Sequence, residues 1–253
     1  MKNSARIWLA LLAIGIVTKS GYAQQLEIPI ESRETEVEVT QGVELLVAVY
    51  SIDIDVEVFG ESRSSVRLEF DGFEQDETGF LGPRVYLHEE SGNMSIKLGP
   101  MVEGKRIRVT MPFGMSTRVN GQDSSVRIES VQGEIDVSTV DGDIDLLDVS
   151  GGIVAHTVDG EIRIELNDTE LKSPVSLATV DGDIEVLARE GLSANVNVST
   201  IDGTFRTEIP ITSRQRGERF VWGGVNLKGT YGAGGAELFL KTIDGDIEVK
   251  LRK

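Results

Sequence analysis

The sequence predicts an all-β chain: a single-domain parallel β-solenoid, β-helix-like, in coils of about 21 residues, with the N-terminal part more irregular. Three observations lead there. A Thr-Val-Asp-Gly-Asp-Ile segment recurs in related forms from Thr139, Thr157, Thr179, Thr200 and Thr242, with a looser copy at Ser130. Its glycines keep a period: Gly182 to Gly203 is 21 residues, Gly203 to Gly245 is 42, Gly121 to Gly142 is 21 and Gly160 to Gly182 is 22. Apolar residues alternate with period two through the copies, and no helical stripe is sustained outside the N-terminal segment.

Within one copy, Val140, Gly142, Ile144 and Leu146 share a parity, and Thr139, Asp141, Asp143 and Asp145 share the other. Strand side chains alternate between faces, so the first set is expected inside and the second in water. An inward Gly suits a bend, and the Asp before it can accept hydrogen bonds from nearby backbone N–H groups. Just upstream, Val175 and Leu177 precede Val180 by a step of three, as Val196 and Val198 precede Ile201. One extra residue at the Ser/Ala–Thr pair reads as a bulge-like corner, giving two short strands and two corners per coil.

The chain opens with Lys2 and Arg6, an 11-residue apolar run from Ile7 to Val17, then Gly21-Tyr22-Ala23. This is the pattern of a secretory signal peptide cleaved after Ala23, and the run is too short for a membrane span of about 20 residues. Residues 24–253 form the β-strand-repeat domain, with 116–253 as the regular repeats. Before them, Ile52, Ile54, Val56 and Val58, then Val66, Leu68 and Phe70, then Ile107, Val109 and Met111 alternate with polar residues. They read as strands at the divergent end of the array or as a small β cap. Residues 71–84 read as a loop, and 210–236 as an irregular strand with a projecting loop that replaces one repeat. The chain ends on a strong repeat, which places the last coil's open edge near Lys253. The positive Lys250, Arg252 and Lys253 would discourage end-to-end stacking there.

The formal charge of −17 becomes −20 once Lys2, Arg6 and Lys19 leave with the signal peptide. So acidic a surface argues against nucleic acid and against docking to anionic lipid. The absence of Cys removes disulfides, thiolate chemistry and a lipidated cysteine. It favours a bacterial periplasmic, cell-surface or extracellular protein stabilised by strand ladders and core. The two histidines, His88 and His156, have no partner at zinc-ligand spacing, and no nucleophile elbow or phosphate loop is present.

The repeat, the Met-Pro-Phe-Gly segment at 111–114, the Gly-rich stretch and the closing Thr-Ile-Asp-Gly-Asp-Ile resemble the bacterial putative-adhesin family of β-strand-repeat proteins, a domain of unknown function. The resemblance covers nearly the whole chain after the signal peptide and is strongest from Met111 to Lys253. It implies a single-domain β-solenoid exported from the cytoplasm, and supplies no catalytic residue to transfer.

The residues themselves leave several functions open. The leading one is an exported, non-enzymatic scaffold or adhesion module of the envelope. Its partner, an envelope polymer or protein, is met through a face or through 210–236, where Arg214, Arg216, Arg219 and Trp222 are the interaction candidates; Trp222 alternatively plugs the last coils. A polysaccharide-acting enzyme using paired carboxylates is the rival. A calcium-stabilised repeat is another alternative. Stacked copies would place Asp141, Asp181, Asp202 and Asp244 in one row and Asp143, Glu161, Asp183 and Asp246 in a second, with neighbours about 4.8 Å apart. The plainer reading of those rows is that the first Asp bonds its own turn and the second acid is solvated. A filament-forming solenoid is disfavoured by the signal peptide and the basic last coil. No cofactor other than such calcium is expected.

Overall fold

A computed structural model describes residues 5–6, 25–28, 33–39, 44–49, 54–74, 83–88, 93–98, 104–215 and 224–252. Their regular elements are all strands, in two sheets facing each other across one apolar core. The cleavage region expected around Ala23 lies outside the described residues.

The building unit is a rung: a strand in the second sheet, a tight corner, a strand in the first sheet and a looser corner. In one rung, Val175–Ala178 leads through residues 179–183 into Ile184–Ala188. Equivalent rungs pair in parallel register. Val126, Ile144, Ile162, Ile184 and Ile247 stack in one inward row, and Ile128, Leu146, Ile164, Val186 and Val249 in the next. Ile135, Ile153, Val175, Leu238 and Val196 face them from the second sheet. These side chains are buried. Each contributes about 1.5–3 kcal/mol on leaving water, so stacked aliphatic rows are the main source of stability.

The rungs are not stacked in chain order. Among the described residues the axial order is 94–98 with 106–112, 44–49 with 55–61, 116–129, 135–149, 153–166, 175–188, 237–251, 194–207. The regular stack therefore extends back beyond residue 116. At both ends the chain lays one rung, makes an antiparallel excursion and returns on the other side of an existing edge. Ser65–Asp71 and Glu34–Glu38 cap the first sheet beyond Arg106–Pro112, with the two-residue Ala5–Arg6 beside the latter. Arg84–His88 and Gln25–Ile28 cap the second beyond Met94–Leu98. Phe73, at the start of the expected 71–84 loop, is buried edge-on to Phe70 with centroids 5.6 Å apart.

The C-terminal rung is thus interior. Glu237–Lys241 lies between Val175–Ala178 and Ala194–Thr200, and Ile247–Leu251 between Ile184–Ala188 and Phe205–Thr207. This overturns the expectation of an open edge at the last repeat. Lys250 Nζ donates to Glu185 Oε1 at 2.8 Å, and Arg252 Nη1 donates to Asp148 Oδ1 at 2.9 Å. These cations join rungs; they do not guard an end. The excursion at 210–236 is also more regular than expected. Val225–Tyr231 pairs antiparallel with Ala194–Thr200, and Ile211–Gln215 pairs with Val225–Tyr231 through one bulge.

At the tight corner the expected parity is wrong in detail. Thr139, Thr157, Thr179, Thr200 and Thr242 are buried, while Val140, Val158, Val180, Ile201 and Ile243 are exposed. No extra residue enters at the Ser/Ala–Thr pair: Val175, Leu177 and Thr179 continue one inward alternation, and Val180 to Asp183 make the turn. Thr fits inside because its hydroxyl has carbonyls to meet. Thr157 Oγ1 lies 3.2 Å from the Gly142 carbonyl of the preceding rung and 3.2 Å from its own Asp159 carbonyl. Thr179 repeats this on Gly160, and Thr242 on Gly182.

Gly is required for a related reason. At Gly142 φ is 140°, a region side chains disfavour, and a Cβ would lie 2.5 Å from the Ser124 carbonyl oxygen. Ser124, not Gly121, is therefore the counterpart of Gly142, and the local period is 18, not 21. Gly133, in the looser copy, belongs to the opposite corner, where it abuts the Met115 carbonyl.

Two outcomes follow. Leu240→Ala, in the last rung of the sequence, will cost about 2–5 kcal/mol in denaturant titration, as for a mid-core leucine; a frayed terminal coil would show almost no change. Thr179→Val will cost about 1–2 kcal/mol by stranding corner carbonyls, and Thr179→Ser will recover most of it.

Candidate interaction surface

The tight corners stack into parallel lines along the solenoid. The outermost is aliphatic: Val140, Val158, Val180, Ile243 and Ile201, 49, 47, 42, 39 and 51% exposed. Their order is fixed by backbone bonds. Val158 N donates to Val140 O at 3.1 Å, Val180 N to Val158 O at 3.3 Å, Ile243 N to Val180 O at 3.2 Å, and Asp202 N to Ile243 O at 2.8 Å. Large side chains so exposed in a continuous file are unusual on a soluble surface and mark contact sites.

Next to this ridge runs the first acid row. Backbone bridges order it as Asp123, Asp141, Asp159, Asp181, Asp244 and Asp202. The row expected from Asp141, Asp181, Asp202 and Asp244 therefore exists, with Asp123 and Asp159 added and the last two exchanged. No ion pair or side-chain hydrogen bond engages these carboxylates among the described residues. The first Asp thus does not bond its own turn through its side chain.

In the second row Glu161 is exposed and solvated as expected, while the other three acids are bonded. Asp143 Oδ1 accepts from Glu161 N at 2.9 Å, Asp183 Oδ1 from Asp246 N at 2.7 Å, and Asp246 Oδ1 from Thr204 N at 2.7 Å. Each carboxylate caps the backbone of the next rung. The Thr204 N–H, helped by Arg206, holds the Asp246 carboxyl below its ordinary pKa. Across both rows, no three acidic or histidine side chains converge as a metal cage among the described residues.

The outer face of the first sheet is electrically different. In register across the rungs run Glu69, Arg108, Glu57, Arg127, Asp145, Arg163, Glu185, Glu248 and Arg206. Signs alternate except at Glu185 and Glu248, and there Lys250 Nζ contacts both carboxylates. Arg108 meets Glu57 at 2.8 Å and Arg206 meets Glu248 at 3.0 Å. Exposed pairs of this kind are screened by water and add little stability, so the ladder mainly offsets charge on the face. A shallow groove on the second sheet is lined by Glu44, Arg118, Glu134, Asp136, Val154 and Pro174. Its charges also meet one another, Arg118 lying 3.3 Å from Glu44 and 3.0 Å from Asp136.

The other expected candidates are scattered. Arg214 is the extra residue of the bulge between Ser213 and Gln215, with its side chain outside the described part. Arg216, Arg219 and Trp222 lie outside the described residues; the chain re-enters at Gly224, packed on the Thr200 and Ile201 carbonyls. His88 ends the strand Arg84–His88, and its side chain is likewise outside the description. His156 is exposed on the second sheet, in register with Ser138 and Ala178. The ridge was missed because its β-branched residues have the chemistry of core positions.

The lowered pKa of Asp246 sets a pH dependence. Its contribution is full above the unfolded carboxylate range, about pH 4, and is lost as pH falls through the lower folded value. Asp246→Asn, which keeps an acceptor but cannot titrate, will show a shallower loss of melting temperature between pH 5 and pH 2 in acid titration.

No curated protein matches the chain. A solved structure of a putative cell adhesion protein from Clostridium sporogenes is similar at 10% identity and a TM-score of 0.43, over 91% of this chain and 100% of that one. Residues 27–250 match the family described as Toastrack DUF4097. With a match over nearly the full length of the solenoid, the chain belongs to that family.

Proposed function

We propose that this chain is a non-enzymatic, exported scaffold of the cell envelope that holds a partner along its tight-corner surface. The observation that carries this reading is the ridge of Val140, Val158, Val180, Ile243 and Ile201, exposed side by side along the axis. A stack of paired strands is rigid, so it presents such a line without an ordering cost on binding. Export is supported by the charged start, apolar run and small-residue site across 1–23, with the periplasm or cell surface as destination. No helix among the described residues is long and apolar enough to cross a membrane. The binding reading is further supported by how the acids are used. Glu57, Glu185 and Glu248 are paired with cations, and Asp143, Asp183 and Asp246 accept backbone N–H groups. Such engaged acids suit structure better than proton transfer.

The test is capture from envelope extract by the immobilised chain and by a variant with all five ridge residues changed to Thr. Threonine keeps the shape and strand preference but removes the apolar surface. The variant is expected to keep its circular dichroism spectrum and lose at least tenfold of the captured component. Equal capture by both proteins would refute the proposal.

A further inference from the structure

Resting on that reading, we infer that the partner is a basic amphipathic helix, lying along the ridge with its cations over the first acid row. Three observations point to this chemistry.

The first is charge. On the outer face of the first sheet acids and cations alternate in register, and Asp143, Asp183 and Asp246 of the second row accept backbone N–H groups. In the first row Asp141, Asp159, Asp181, Asp244 and Asp202 are exposed on consecutive rungs and engaged by no cation among the described residues. Like charges about 4.8 Å apart repel, so a row of opposite charge laid beside them relieves a strain built into the fold. A neutral or anionic partner would leave it in place.

The second is the juxtaposition of that row with the ridge. Each exposed Val or Ile is followed directly by the exposed Asp, so an apolar line and an anionic line run side by side. The complement is a surface with an apolar stripe flanked by Lys or Arg. The ridge of a second copy cannot supply it, because that ridge carries the same Asp row.

The third is spacing. Ridge side chains repeat about every 4.8 Å. A helix returns the same face every 5.4 Å, whereas an extended strand returns it about every 6.8 Å. Over the four steps from Val140 to Ile201 the helix drifts by about half a step and the strand by more than one. The ridge spans about 19 Å, matched by about 13 helical residues at 1.5 Å each.

The probe is a synthetic 18-residue peptide of Leu and Lys with Leu at helical spacing, titrated by fluorescence anisotropy. Its comparisons are a scrambled peptide of the same composition and the same pattern with Glu in place of Lys. The patterned peptide is expected to bind at least tenfold tighter than the scrambled one, and the Glu peptide not at all. The five-threonine ridge variant is expected to lose that tenfold margin. A variant carrying D141N, D159N, D181N and D244N is expected to bind at least tenfold more weakly and with most of the salt dependence gone. Equal binding of patterned and scrambled peptides, or full binding by the ridge variant, would overturn the inference. So would ridge-dependent dimerisation in sedimentation, or ridge-dependent binding to lipid vesicles without the peptide effect. Ridge-dependent capture from envelope extract together with peptide failure would remove the helix and leave the scaffold reading standing. Ridge-independent capture would remove the scaffold reading itself.

Discussion

At the tight corner the carbonyl of one Gly fills the space a side chain on the next Gly would need. That contact dictates the rest of the repeat. It requires Gly at each step from Gly142 onward, Ser124 standing at the step before. It turns corner carbonyls inward, where they need a donor, and the buried Thr hydroxyl supplies one. The residue between Thr and Asp is then the outside of the bend and must project. The carboxylate after Gly is left within reach of the next rung's N–H and takes it. A five-residue motif thus meets its polar requirements only when another copy lies beside it, which is why the copies recur together.

The same mutual dependence explains how the chain can stack rungs out of order. Every rung offers its neighbours the same carbonyls, N–H groups and aliphatic row, so a gap between two rungs fits any rung with the motif. The C-terminal rung fills such a gap between 175–188 and 194–207. Its two neighbours in space are separated from it by about 60 and about 40 residues of chain, and closing loops of that length costs only slowly increasing entropy. In return, the antiparallel excursion at 211–231 covers an edge of the second sheet that would otherwise be exposed.

Period-two alternation in the strands was fully legible: Ile144, Leu146, Ile162, Ile164, Ile184 and Val186 are inside, as their spacing says. The corner was not, because hydropathy misassigns both residues there. Val180 is apolar and lies outside; Thr179 is polar and lies inside. A hydroxyl with two carbonyls in reach loses little on burial, and a bend leaves its outer residue no core to enter. Rung order was illegible for a different reason. Identical motifs carry no label for their neighbours, so a doubled spacing between Gly203 and Gly245 looks the same whether the missing coil is skipped or its neighbours are rearranged. The acid rows were visible as stacked positions, but their division into bonded and unbonded lines depends on which side of Gly each carboxylate stands.

That division sorts the protein's negative charge. A uniformly acidic solenoid would repel itself along its whole length; this one interleaves cations with acids on one broad face and bonds Asp143, Asp183 and Asp246 of the second row to backbone N–H groups. Along the first row it leaves Asp141, Asp159, Asp181, Asp244 and Asp202 without a cation, and that line runs beside the exposed aliphatic file. Solubility alone asks for charge spread widely, and strand stability alone asks for neither an exposed Val file nor an unpaired Asp file. Replacing either would leave the Thr–Gly contact untouched, since neither side chain takes part in it. The two lines are free of the constraint that fixes the rest of the corner. On the proposed reading, their uniform chemistry from rung to rung has its explanation outside the fold, in a partner that lies against them.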